Sequence, residues 1–102
     1  MIVRLVTATV RTDRAGSFNA LMRAQLPILR EYPGLVYVKL ARRITGDVEE
    51  VLLYEEWQTT AALYGWTGAE VTRAKLLPGA EELITDVSVV HYEALDIDPP
   101  LD

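Results

Sequence analysis

The one histidine of this 102-residue chain, His91, is its only side chain whose ordinary titration falls near neutral pH. An imidazole so placed suits a general base, and the sequence offers no rival, because there is no cysteine to serve as a thiolate. The bland alternative is a strand histidine hydrogen-bonded to a neighbour. Trp66 stands within Gly65-Trp66-Thr67-Gly68, where the glycines let the backbone bend around a ligand. It serves equally well as a plug between helix and sheet. Three acidic doublets, Glu49-Glu50, Glu55-Glu56 and Glu81-Glu82, resemble acid–base pairs at first sight. Strand neighbours point to opposite faces, so the first two cannot share a proton as a dyad, and solvated or salt-bridged roles are expected. One histidine and no cysteine leave no ligand cluster at a recognisable metal-binding spacing. Neither Gly-x-Gly-x-x-Gly nor Gly-x-x-x-x-Gly-Lys occurs, so no phosphate-cradling fingerprint is present.

Charge and composition narrow the partners. Fifteen acidic residues against ten basic ones give a net charge of -5, which opposes binding to phosphate backbones. Arg42-Arg43 is the lone basic doublet, too little for a nucleic-acid footprint. Half of the residues are hydrophobic, which excludes disorder, yet no apolar run approaches the ~18 residues of a membrane span. The opening MIVRLVTATVRTD lacks the separate basic and apolar regions of an export signal, so it is read as a strand and a cytoplasmic protein is expected.

The elements that must position these side chains follow from periodicity. Residues 2–10 alternate two apolar or small sets, predicting a strand covered on both sides. Asp13 is the expected N-cap of a helix over 14–31. Phe18, Leu21, Met22, Gln25, Leu26, Leu29 and Tyr32 recur there at spacings of three and four. Pro27 is expected to kink or split this helix, and Pro33-Gly34 ends it. Two strands, over 35–44 and 50–57, form a hairpin about Thr45-Gly46-Asp47. Thr59 or Thr60 caps a short helix through Tyr64, which the Gly65–Gly68 stretch interrupts. A further helix over 69–77, a break at Pro78-Gly79, a turn at 81–84 and a last strand over 87–95 complete the domain. Residues 96–102 read as an acidic, proline-containing extended tail.

The order βαββαβ predicts an α+β, ferredoxin-like domain over 1–95. Its four-stranded antiparallel sheet has the order 4-1-3-2 and carries both helices on one face. Apolar residues on both faces of every strand would then leave an exposed patch of a kind monomers rarely show. A homodimer joined face to face is the simplest remedy.

In its Pro33-Gly34 helix ending and the strand VLLYEEW (Val51 to Trp57) followed by a short helix, the chain resembles the antibiotic biosynthesis monooxygenase superfamily of dimeric α/β-barrel proteins. That pattern places Trp57 in the scaffold whatever the activity. The resemblance implies one of two chemistries. The haem-degrading branch carries an Asn on the first strand, a Trp after the third, and a ligating His about three turns beyond. Here Trp66 matches the Trp, but Leu76 stands at the His position and Thr7 near the Asn. The other branch oxidises quinols or polyketide-type aromatics with O2 and no cofactor, the substrate supplying its own electrons as a phenolate. For that reading His91 is the candidate catalytic base, and Trp66, Tyr54, Tyr64, Tyr37, Thr7 and Arg42 are of the types that bind a small aromatic molecule. The alternative is a binding or accessory protein on the same scaffold, with no chemistry of its own.

Overall fold

The computed structural model describes residues 1–95; the acidic tail expected over 96–102 lies outside the described residues. Strand β1 (Ile2–Arg11) leads into helix α1 (Thr12–Arg30), followed by the hairpin β2 (Leu35–Thr45) and β3 (Val48–Trp57). A short helix α2 (Thr60–Thr67), a 3-10 turn (Glu81–Leu83) and β4 (Ile84–Glu93) complete the order. The sheet is antiparallel with strand order β2-β3-β1-β4, the ferredoxin-like arrangement expected from the element order.

Directly paired residues share a face, so the register sorts every strand side chain. Arg4, Val6, Ala8 and Val10 of β1 and Glu49, Val51, Leu53, Glu55 and Trp57 of β3 are all buried beneath the helices. Phe18, Met22 and Leu29 of α1 and Leu63 and Trp66 of α2 close this core from above. The opposite face bears Val3, Leu5, Leu52 and Tyr54, with Tyr37, Val90 and Tyr92 at 45%, 41% and 57% exposure. One face is therefore a finished core and the other an apolar surface open to solvent.

Several boundaries differ from the expected ones. Helix α1 begins a residue before Asp13, which lies in its first turn; the N-cap position is Arg11, whose side chain makes no capping bond. Pro27 neither ends nor splits the helix, which runs unbroken to Arg30. Helix α2 passes through Gly65 and stops at Gly68, whose φ of 68° favours glycine. Thr59 is its N-cap, accepting a hydrogen bond from the Ala62 amide at 3.1 Å. The helix expected over 69–77 does not form; that stretch is irregular.

Gly34 explains why a Pro-Gly pair ends α1. Its φ is 89°, and a Cβ there would overlap the Cβ of Ala62 in α2. Its carbonyl accepts from the Gln58 amide at 2.8 Å, so the bare glycine backbone forms the seam between the first helix ending and the second helix start.

Candidate functional site

Two groups of polar side chains lie on the helix side of the sheet, one over the central strands and reaching β4, the other beside the edge strand β2. The first is buried and centres on Arg4, which has no exposed surface. Its Nη1 donates to the carbonyl of Val71 at 2.6 Å, and its Nη2 to the carbonyl of Arg73 at 2.9 Å. Glu55, 1% exposed, faces Arg4 across the β1–β3 pairing, with Nε to Oε1 at 3.8 Å. The indole Nε1 of Trp57 donates to that same Oε1 at 2.8 Å. Arg4 Nε and Glu55 Oε2 have no hydrogen-bond partner among the described residues. The long pair thus leaves both desolvated charges incompletely matched. Burial accordingly pushes the Glu55 carboxyl up and the Arg4 guanidinium down from their ordinary values, with their mutual attraction offsetting only part.

The stretch expected as a helix over 69–77 is instead tied to the sheet and to α1 through its carbonyls. Those of Val71 and Arg73 accept from Arg4, and that of Lys75 accepts from Gln25 Nε2 at 2.7 Å. Side chains from β1 and α1 thus hold an irregular backbone in place.

His91 pairs with Arg4 across β1–β4, which places it on the helix face, half-buried. Its Nε2 lies 2.9 Å from Arg4 Nη1. Arginine can only donate, so the imidazole accepts at Nε2 and carries its proton on Nδ1. Burial first, and the Arg4 charge second, hold its pKa below the usual imidazole value. The lone pair that a general base would use is already engaged.

The second group lines an open cleft of about 440 Å³ between α1 and the edge strand β2, within the usual size range of small-molecule sites. Asn19, Arg23, Leu26 and Arg30 fall at spacings of four, three and four, one face of α1. Leu40, Arg42 and Val51 form the sheet wall, and Lys39 and Ala41 the strand edge. Glu49, 1% exposed, ties the two walls together, accepting from Asn19 Nδ2 at 2.7 Å and from Arg42 Nη1 at 3.1 Å.

The structure does not bring the sequence-predicted site residues into one pocket. Arg42 is in the cleft. His91 is three strand spacings away on β4, about 14 Å at ~4.8 Å each, too far to touch a ligand there. Thr7, Tyr54 and Tyr37 lie on the opposite, open face, where Tyr37 and Tyr54 stack edge to face at 5.9 Å and the Tyr54 hydroxyl donates to Glu56 at 2.7 Å. That bond is the main cause holding the Tyr54 hydroxyl pKa above its ordinary value. Tyr64 is 45% exposed on α2. Trp66 is 3% exposed, edge-on to Tyr32 at 4.9 Å with Lys75 Nζ 4.2 Å above its ring. Lys75 also donates to the Trp66 carbonyl at 2.6 Å, and Trp66 belongs to the core beneath α2.

A salt-bridged role for Glu55 is among the sequence expectations, but its partner Arg4 is not, because the two lie far apart in sequence on different strands; a charged residue amid the apolar set of β1 is the available signal. Arg42 is among the expected residues, but Arg23 and Arg30 are not, because the cleft they line is completed by the edge strand β2. Two arginines seven residues apart on one helix stripe could have exposed them.

A four-stranded antiparallel sheet with both helices on one face in βαββαβ order defines a ferredoxin-like α+β protein. Residues 1–74 match the family model described as antibiotic biosynthesis monooxygenase, and the chain belongs to that family. Among solved structures, Rv0793 from Mycobacterium tuberculosis is 21% identical over 95% of this chain and 97% of its own, with a TM-score of 0.75. An antibiotic biosynthesis monooxygenase is 20% identical over 94% and 100%, with a TM-score of 0.76. A variant of MhuD, solved with two manganese protoporphyrin IX molecules per active site, is 18% identical over 95% and 98%, with a TM-score of 0.70. At such identities the likeness is one of fold. No curated protein matches the chain.

The haem-type site does not fit this chain. Trp66 and Leu76 line a common pocket, but it measures about 110 Å³ and Lys75 Nζ sits over the Trp66 ring. Leu76 offers no axial ligand, and the only imidazole is committed to Arg4. Among the described residues no group of three or more His, Cys, Asp or Glu side chains is placed to hold a metal ion. No described helix is long and apolar enough to cross a membrane.

Two measurements probe the buried group. Arg4→Leu strands the Glu55 carboxylate and frees two carbonyls, so denaturant unfolding is expected to show a loss of about 3–5 kcal/mol. Adding Glu55→Gln, which keeps an acceptor for Trp57, is expected to restore part of it; strictly additive losses would show that the two residues are uncoupled. The second measurement concerns pH. Because His91 is held below its unfolded pKa, the unfolded chain takes up its proton first, so stability falls as pH drops through about 6.5. His91→Gln retains an acceptor for Arg4 and should flatten the melting temperature between about pH 7 and pH 5. An unchanged slope would place its origin elsewhere.

Proposed function

We propose that this protein binds a small aromatic molecule of quinol or polyketide type in the cleft between α1 and β2 and oxidises it with O2 without a cofactor. Family membership supplies the monooxygenase-like, small-molecule class. The observation that carries the site is the cleft itself, about 440 Å³ between helix and sheet, with Leu26, Leu40 and Val51 as its apolar wall. An anthrone illustrates the chemistry. Its ionised form passes an electron to O2, the radicals combine at carbon, and water leaves. A ring methylene and O2 become a ring carbonyl and H2O. The carbon supplies all four electrons, so no external reductant is needed. The protein's part is to hold the ring and favour the ionised form.

A second reading, binding without chemistry, is favoured by one specific observation. His91, the only imidazole, accepts from Arg4 and lies at the far edge of the sheet from the cleft. Calorimetric titration with an anthrone, together with oxygen-electrode recording, separates the two. Saturable binding with oxygen uptake above that of the anthrone alone supports the oxygenase. Saturable binding with no added uptake supports the accessory role. Leu26→Trp, which fills the cleft, is expected to weaken binding about tenfold or more, a loss of roughly 1.4 kcal/mol. Undiminished binding in that variant would place the site elsewhere.

The open sheet face supports a homodimer. Val3, Leu5, Leu52, Tyr54, Tyr37, Val90 and Tyr92 present an apolar surface that a second copy would cover. Sedimentation at micromolar concentration should give twice the 11.4 kDa chain mass. A monomer under those conditions would refute the pairing.

A further inference from the structure

Resting on the cleft reading above, we infer that the cleft selects an anionic aromatic ligand, a small aromatic acid whose negative group is held by Arg23, Arg30 and Arg42. The chain as a whole is acidic, with fifteen acidic and ten basic residues. Yet four of those ten, Arg23, Arg30, Lys39 and Arg42, line this one cleft, and no acidic side chain is among its lining residues. The global charge repels anions; the cleft reverses that sign locally.

The cations are arranged from two elements. Arg23 and Arg30 stand two helical turns apart on the stripe of α1 that also carries Asn19 and Leu26. Arg42 faces them from β2, on the helix side of the sheet. Lys39 contributes at the strand edge, its register placing it on the open-face row with Tyr54. Arg42 gives one N–H to Glu49, which cancels one charge and fixes the guanidinium in place. Arg23, Arg30 and Lys39 have no ion pair among the described residues. With no counterion of their own, Arg23 and Arg30 leave positive charge on the helix wall that a bound carboxylate or acidic phenolate would neutralise. Planar guanidiniums match a carboxylate with paired N–H donors.

The apolar part of the wall limits what carries the charge. Leu26, Leu40 and Val51 sit between the arginines of the helix and that of the strand, so a ligand reaching the cations lays a flat apolar body against aliphatic side chains. A free inorganic anion would leave that wall unused. A polynucleotide would meet the net acidic surface around the cleft.

Naphthoate and its uncharged methyl ester test this, since they share the ring and differ in charge. Naphthoate is expected to bind about tenfold or more tighter by calorimetry, a preference that shrinks as salt is raised. Arg23→Gln with Arg30→Gln should abolish the preference by weakening naphthoate while leaving ester affinity within about twofold. Both arginines are exposed, so the variant is expected to fold, and its unchanged circular dichroism and ester binding confirm that it has. Equal affinity for acid and ester would overturn anion selection, and a preference that survives the double substitution would overturn its assignment to these arginines; either result leaves the cleft as a ligand site. Failure of both probes to bind the unsubstituted protein would instead remove the cleft reading and the inference with it.

Discussion

Much of this structure depends on a buried guanidinium. Arg4 emerges from the first strand into the helix-side core, where an unpaired charge would be costly to keep. It meets that cost by reaching two backbone carbonyls of the irregular stretch, one glutamate and one histidine. The arrangement works in both directions. The carbonyls satisfy Arg4, and Arg4 in turn fastens the irregular segment at Val71 and Arg73 to the first strand. The incomplete match with Glu55 keeps both groups in tension with their surroundings, as the opposite displacements of their pKa values indicate.

From that constraint follows an asymmetry around α1. Gln25, Ile28 and Tyr32 look toward Trp66, Lys75 and Leu76, where the pinned segment leaves about 110 Å³. Asn19, Arg23, Leu26 and Arg30 look the other way, toward β2, where nothing descends from the 69–80 stretch and about 440 Å³ stays open. Helix α1 thus separates a small pocket from a larger cleft. Glu49, accepting from Asn19 and Arg42, bridges the two walls of the larger one.

The legible parts of this fold were those set by local chemistry. Alternation in β1 and β3, the Gly46-Asp47 hairpin turn, the Thr59 cap and the Pro33-Gly34 stop each act within a few residues, and each lies where the sequence places it. Gly34 was legible as a stop, although its second reason, contact with Ala62, needed the assembled helices. The 69–77 stretch misled because AEVTRAKLL has ordinary helix propensity, whereas its backbone partners come from Arg4 and Gln25, far away in sequence. Site residues chosen by type alone scattered for a related reason. Tyr54 and Thr7 have the right chemistry, but strand parity puts them on the wrong face, and parity is fixed only by knowing which face the helices cover.

The position of His91 shows how a fold can commit the lone pair of a catalytic-looking residue to a structural partner. Parity places it on the helix face, the side a base would need to occupy. Its reactive nitrogen nevertheless accepts from Arg4, and an acceptor bound to a permanently charged donor gains little by taking a proton, since that would set two cations side by side. The same pairing that lowers its basicity helps complete the shell around Arg4. Its value to the protein is therefore as a neutral acceptor, and any proton leaving a ligand in the α1–β2 cleft must go to a different group or to water. In the proposed reaction the cations lining that cleft would take over by electrostatics part of what a base does by transfer, since a positive lining lowers the free energy of an ionised ligand.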